Sequence, residues 1–155
     1  MDWKTYADDL RGHFPDIRTS IEQLWGLTED WETAKSALKD TSEIVKYAKS
    51  LPNLTVVALV PNFIGAKNAI DAGVDKMCLP LSVSETHSQA NLKKTHDEVL
   101  KEIGKITEYL NTLNENERPE FEGNLSTAFG CTIEGKVSEK DVVSLGVKMM
   151  ELGCD

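Results

Sequence analysis

Two short segments concentrate the side chains that could do chemistry: Ser82-Val83-Ser84-Glu85-Thr86-His87-Ser88 and Ser126-Thr127-Ala128-Phe129-Gly130-Cys131. Their hydroxyl, carboxylate and imidazole groups are suited to hydrogen-bonding polar atoms of a ligand. Metal chemistry finds little support. CxxC, HxH and HExxH patterns are absent, the histidines His13, His87 and His96 are scattered, and Cys78, Cys131 and Cys154 lie far apart. A zinc site built within this chain is therefore not expected. The odd cysteine count and the acidic, polar start Met1-Asp2-Trp3-Lys4 argue for reduced thiols, no secretory signal and a cytoplasmic location.

The elements around these segments fall into two textures. Residues 1–50 read as a helical N-terminal segment. Leu10, Phe14, Ile17, Ile21, Leu24 and Trp25 recur at helical spacing, Pro15 interrupts them, and Thr41-Ser42-Glu43 opens a last helix before Pro52. From Leu54 the pattern becomes strand–helix alternation. Leu54 to Val60 is β-branched and apolar on both faces, as in a strand buried in a parallel sheet. Phe63 to Ala72 reads as a helix closed by Gly73. Lys76 to Val83 reads as a second strand, although Pro80 predicts a bulge or an irregular end. Asn91 to Leu113 predicts one long helix, with Leu92, Thr95, Val99, Ile103, Ile106 and Leu110 as its stripe. After a polar loop from Asn114 to Pro119 comes a third strand, Phe121 to Ala128. A glycine-punctuated loop from Gly130 to Lys136 leads to a final helix, with Ser138 as its cap. The order β-α-β-α-β-α specifies neighbouring parallel strands with right-handed crossovers. It does not choose between an open sheet and part of a barrel.

Composition bounds the partners. Of the 155 residues, 40% are hydrophobic and 28% charged, which suits one soluble domain. The formal charge of −9 would repel phosphates, so neither nucleic acid nor an anionic membrane is expected as partner. No apolar run approaches a bilayer span.

Three motifs in order suggest a family. Ala58-Leu59-Val60-Pro61-Asn62 with Gly65-Ala66 and Ala72-Gly73-Val74-Asp75 resembles the third unit of hydroxymethylglutaryl-CoA lyases. Ser82 to Ser88 with Asn91 resembles the end of that family's fourth strand, and Ser126 to Cys131 with Glu134-Gly135-Lys136 the loop after its fifth. A weaker match extends back to Glu29-Asp30-Trp31. The resemblance implies an α/β fold: a partial (β/α)8 TIM barrel over residues 51–155, preceded by the helical segment. It also implies an acyl-CoA substrate, 3-hydroxy-3-methylglutaryl-CoA, cleaved to acetyl-CoA and acetoacetate with Mg²⁺ or Mn²⁺ in the complete enzyme. The segments that carry the family's metal ligands (an aspartate after the first strand, an HxH pair after the seventh, an asparagine after the eighth) find no match here. Neither does the catalytic cysteine, and Cys131 is not its equivalent. The chain alone is therefore expected to lack lyase activity and to hold no metal.

In such barrels ligands sit at the carboxyl ends of the strands, which singles out Asn62, Ser82, Ser84, Glu85, Ser126 and Thr127 as substrate-binding candidates. Each has a structural alternative. Pro61-Asn62 also turns the chain, and Glu85 also suits a helix N-terminus. His87, with no evident partner, reads as a surface or supporting residue. Gly130, Cys131 and Glu134 would form a loop near the site, with Cys131 a structural or a redox-sensitive thiol. Lys67, Lys93 and Lys94 are weak candidates for nucleotide contacts. The alternative to an enzyme lineage is a non-catalytic scaffold built on the half-barrel, which appreciable Mn²⁺ affinity would disfavour. Three strands cut from a barrel would leave two open edges and apolar inner faces, so a homo-oligomer is expected, with Trp25 and Trp31 protected in the assembly.

Overall fold

A computed structural model of the chain describes residues 41–155. The helices expected within residues 1–40, with Trp3, Trp25 and Trp31, lie outside the described residues. The chain divides into two units, Met1–Thr41 and Ser42–Asp155. The described residues form α1 (Thr41–Ser50), β1 (Val57–Leu59), α2 (Phe63–Ala72), β2 (Lys76–Ser82), α3 (Glu85–Leu92), α4 (His96–Leu110), a short 3-10 turn at Glu115–Glu117, β3 (Glu120–Ser126) and α5 (Glu139–Glu151).

The strands form one sheet in the order β1-β2-β3, and both pairings are parallel, as the alternation predicts. Register fixes the faces. Val57 pairs with Lys76 and Leu59 with Cys78, while Lys76, Cys78, Pro80 and Ser82 pair with Glu120, Glu122, Asn124 and Ser126. These residues share one face. The opposite face carries Met77, Leu79, Leu81 and Phe121 into a core with Ala66 and Ala69 of α2, Val99, Ile103 and Ile106 of α4, and Leu145 and Met149 of α5. Met77, Leu79 and Leu81 are each 0% exposed, against 71% for Leu59. The expectation of apolar inner faces is therefore corrected. The open face is mostly polar, with Lys76 Nζ pairing to Glu120 at 2.8 Å and to Glu122 at 3.5 Å. Val57, Leu59, Cys78 and Pro80 are its apolar members.

The edges differ from the expected pair of open ladders. On β3, Gly123 N–H donates to the Asp155 carbonyl at 3.2 Å and Asp155 N–H donates to the Phe121 carbonyl at 2.9 Å. That pattern is a parallel bridge, and it occupies the lower part of the β3 edge.

Local chemistry explains most element limits. Asn62 Oδ1 accepts from Gly65 N–H at the start of α2, and Gly73, at φ 84°, ends it by donating to the carbonyls of Ala69 and Ile70. The single helix expected from Asn91 to Leu113 is instead two. Lys93 takes a left-handed φ of 57° after α3, and Thr95 with Glu98 forms a reciprocal capping box that starts α4. Thr95 is thus a cap, not a stripe residue. Ser138 precedes α5 without a side-chain cap bond, and its carbonyl receives Asp141 and Val142 N–H instead. Pro80 sits in the middle of a regular β2 with no bulge. Lys76 N–H donates to Val56 O, and Val60 N–H donates to Cys78 O, so even-numbered β2 residues turn their backbone groups toward β1. Pro80 is the next such position, beyond the end of β1, so its missing N–H breaks no bond within the ladder.

Candidate functional site

The carboxyl ends of β2 and β3 are joined by one last backbone bond and then by a side chain. Val83 N–H donates to Ser126 O at 2.9 Å, and Ser84 N–H donates to Thr127 Oγ1 at 3.1 Å. Thr127 adopts φ 59°, a left-handed conformation that a β-branched side chain rarely takes. Its contact with Ser84 offsets part of that cost. Ser84 also caps α3, its Oγ accepting from His87 N–H at 3.1 Å. The cap of α3 is therefore Ser84, whereas Glu85 sits one position inside and accepts from His96 N–H at the start of α4.

Ser82 stands between two imidazoles. Its Oγ lies 2.8 Å from His87 Nδ1, and its carbonyl accepts from His96 Nε2 at 2.8 Å. A carbonyl only accepts, so His96 carries a proton on Nε2. Neither imidazole's tie to Ser82 is legible in the sequence. The His87 pair spans five residues and the His96 pair fourteen, and no local motif marks either.

The loop after β3 docks on α3 through Glu134, whose Oε1 accepts from Thr86 N–H at 2.9 Å. Beside it, the buried Cys131 Sγ lies 3.1 Å from Ser84 Oγ and accepts from Ile133 and Glu134 N–H at 3.3 and 3.4 Å. The hydrogen bond with Ser84 first, then the N–H groups of Glu134 and Ile133, hold the thiol below its ordinary range against the opposing effect of burial. Gly130 and Gly135 take positive φ at the ends of this loop, where Cys131 and Gly135 bridge backbone to backbone.

The contact with Thr86 also holds the Glu134 carboxyl below the usual carboxylate range. Its stabilisation is then complete above the unfolded value of about 4.3 and is lost as pH falls through the lower folded value. Protection of the Thr86 amide, its exchange rate taken relative to the intrinsic rate at each pH, is expected to persist at neutral pH and to fall only as pH drops below the ordinary carboxylate range. In Glu134→Ala it should already be lost at neutral pH. Exchange measured by NMR checks both, and unchanged protection in the variant would refute the docking role.

Asn62 Oδ1 is committed to capping α2, which leaves its amide nitrogen for a ligand. Ser126 is half-buried on the open face, with Oγ 3.5 Å from Asn124 Oδ1. Ser82 and Ser84 are each 1% exposed, so a ligand reaches them only through their neighbours. Lys94 Nζ donates to Pro61 O, Lys93 Nζ to Ala90 O, and Lys67 lies 6.0 Å from the Tyr109 ring centre. A cleft of about 380 Å³ at this end is lined by Glu85, His96, Glu134, Asp141 and Lys148. A larger one, about 530 Å³, lies at the opposite ends of the strands, around Lys49, Asp75, Tyr109 and Arg118. The described donors do not fit a metal centre. Among the described residues, no three His, Cys, Asp or Glu side chains gather around one point.

This framework, parallel strands with a polar carboxyl end, has counterparts among known proteins. The profile of the HMGL-like family matches residues 26–155. This chain belongs to that family. The family match begins inside the segment read as an N-terminal helical region. Hydroxymethylglutaryl-CoA lyase YngG of Bacillus subtilis is 32% identical over 117 residues, covering 76% of this chain and 38% of the relative. The cytoplasmic 3-hydroxy-3-methylglutaryl-CoA lyase of Danio rerio is 28% identical, with 34% of its length covered. An HMG-CoA lyase structure from Acinetobacter baumannii, in complex with coenzyme A and 3-methylmalate, superposes with TM-score 0.69 at 33% identity over 77% of this chain and 37% of that one. The Bacillus subtilis HMG-CoA lyase structure gives 0.67 at 30% identity, with 39% of its chain covered. The chain thus spans little more than a third of the relatives it matches, and its three βα units are a sector of their barrel.

Proposed function

We propose that this chain forms the acyl-thioester-facing sector of a hydroxymethylglutaryl-CoA-type carbon–carbon lyase and is catalytically silent on its own. The observation that carries the reading is the join between the β2 and β3 ends, where Ser82, Ser84, Thr127 and the Cys131–Glu134 loop are tied into one hydrogen-bonded rim. The substrate class comes from the family, whose Acinetobacter member was solved with coenzyme A and 3-methylmalate. In the complete barrel this rim binds and orients the acyl part, through Asn62, Ser126, Thr127 and the loop at Gly130–Glu134. Bond cleavage needs a base for the 3-hydroxyl and a cation to stabilise the departing enolate. Among the described residues no three His, Cys, Asp or Glu side chains gather to hold such a cation, so no cleavage step is assigned to them.

The test is direct. Purified 155-residue chain, given hydroxymethylglutaryl-CoA with Mg²⁺ or Mn²⁺, is expected to form no acetoacetate above the uncatalysed background. Turnover that survives removal of contaminating host lyase would overturn the reading.

A further inference from the structure

We propose that His87, held by Ser82, is a ligand-contacting residue whose Nε2–H is a pre-set hydrogen-bond donor to the carbonyl oxygen of an acyl thioester. The inference deepens the function proposed above and rests on it for the ligand. Its foundation is the buried hydroxyl of Ser82. That side chain is 1% exposed, and among the described residues its oxygen meets one partner, His87 Nδ1 at 2.8 Å. A buried hydroxyl proton needs an acceptor, because leaving it unmet forfeits its hydration without replacement. The Ser82 carbonyl is already committed to His96, and Nδ1 is the acceptor within reach. Ser82 therefore donates to Nδ1, and the neutral ring carries its proton on Nε2.

The direction of that proton follows from the shape of the ring. Its two nitrogens diverge, so tying Nδ1 to a buried partner leaves Nε2 at the far end of a half-buried side chain. Among the described residues Nε2 has no protein partner, while the backbone beneath it is fixed by His87 N–H donating to Ser84 Oγ. A donor held this way loses little further freedom when a ligand arrives. Charge selects the ligand. Glu85 opens the same helical turn and Glu134 docks on the neighbouring Thr86, so the stretch of chain around His87 is acidic. A neutral carbonyl oxygen suits this setting better than a free carboxylate.

Long-range proton–nitrogen NMR of the full chain at about pH 8, where imidazole is neutral, reads the tautomer directly. The expected result is a single Nε2–H form at His87, giving way to mixed tautomers in Ser82→Ala. Titration with hydroxymethylglutaryl-CoA should then shift the His87 Nε2 resonance, and His87→Ala should weaken binding by about tenfold, the size of one hydrogen bond. An Nδ1–H tautomer in the free chain overturns the proposal whatever the ligand does. Binding that leaves the His87 resonances unmoved overturns it too, but leaves the acyl-CoA reading standing. Failure of the wild-type chain to bind the thioester while His87 shows the Nε2–H form overturns that reading, and the ligand assignment falls with it.

Discussion

Leu79→Ala is expected to destabilise the chain by about 3 kcal/mol, whereas Leu59→Ala should change stability by less than about 0.5 kcal/mol. The two leucines lie on neighbouring parallel strands and have the same chemistry. They differ in the face they occupy. Leu79 is 0% exposed, in the layer between sheet and helices that also holds Ile103, Ile106 and Met77. Truncating it removes buried methyl groups and leaves a cavity that surrounding side chains fill only partly. Leu59 is 71% exposed on the open face, so its truncation returns little surface to water. Urea unfolding followed by circular dichroism gives both values. Equal losses would mean that the open face is covered in solution, and the assignment of one core to the helix side would fail.

Gly123→Val should be the most damaging small substitution in β3, lowering stability by about 3 kcal/mol or more. A Cβ built on Gly123 would lie 2.6 Å from Met149 Cε, 3.1 Å from Cys154 Cβ and 3.3 Å from Cys154 Sγ. The methionine tip can swing away. Cys154 cannot, because it follows Gly153 in a turn whose next residue, Asp155, is bonded to Phe121 and Gly123. Adding a side chain therefore pushes the carboxyl-terminal turn off the sheet edge. Burial of Cys154 in the same place also raises its thiol pKa to about 11, an apolar setting intolerant of displacement. Gly104 is the control. It lies inside α4, and its added Cβ would meet only Leu152 Cδ2 at 3.8 Å, an ordinary contact. Gly104→Ala should stabilise the chain by about 0.5–1 kcal/mol through helix propensity. A stable Gly123→Val protein would show that α5 and its following turn do not press on β3 as described.

What the sequence could determine was whatever neighbouring residues determine. Asn62 and Gly73 bracket α2 because a capping amide and a left-handed glycine act within one turn of the helix ends. Strand–helix alternation fixed the parallel order, because a short crossover through a helix has one favoured hand. The motif order was enough to place the chain in its family. Even locally, two signals compete. Thr95-His96-Asp97-Glu98 carries the pattern of a capping box, but the apolar spacing of Leu92, Val99 and Ile103 masks the break between α3 and α4. The rest depended on distance along the chain. In β2, Met77, Leu79 and Leu81 alternate with Cys78 and Pro80, so both faces look apolar. Only pairing with Glu120, Glu122 and Asn124 shows which side meets water. The candidate site divides the same way. Its residue types stood out, and the caps at Asn62 and Ser84 act within three residues, yet the ties between elements span 5 to 48 residues, from Ser82–His87 to Thr86–Glu134. Such hydrogen bonds form only after the crossovers bring separate loops to one end of the sheet, and a hydroxyl or carboxylate carries no sequence mark of the partner it will find there.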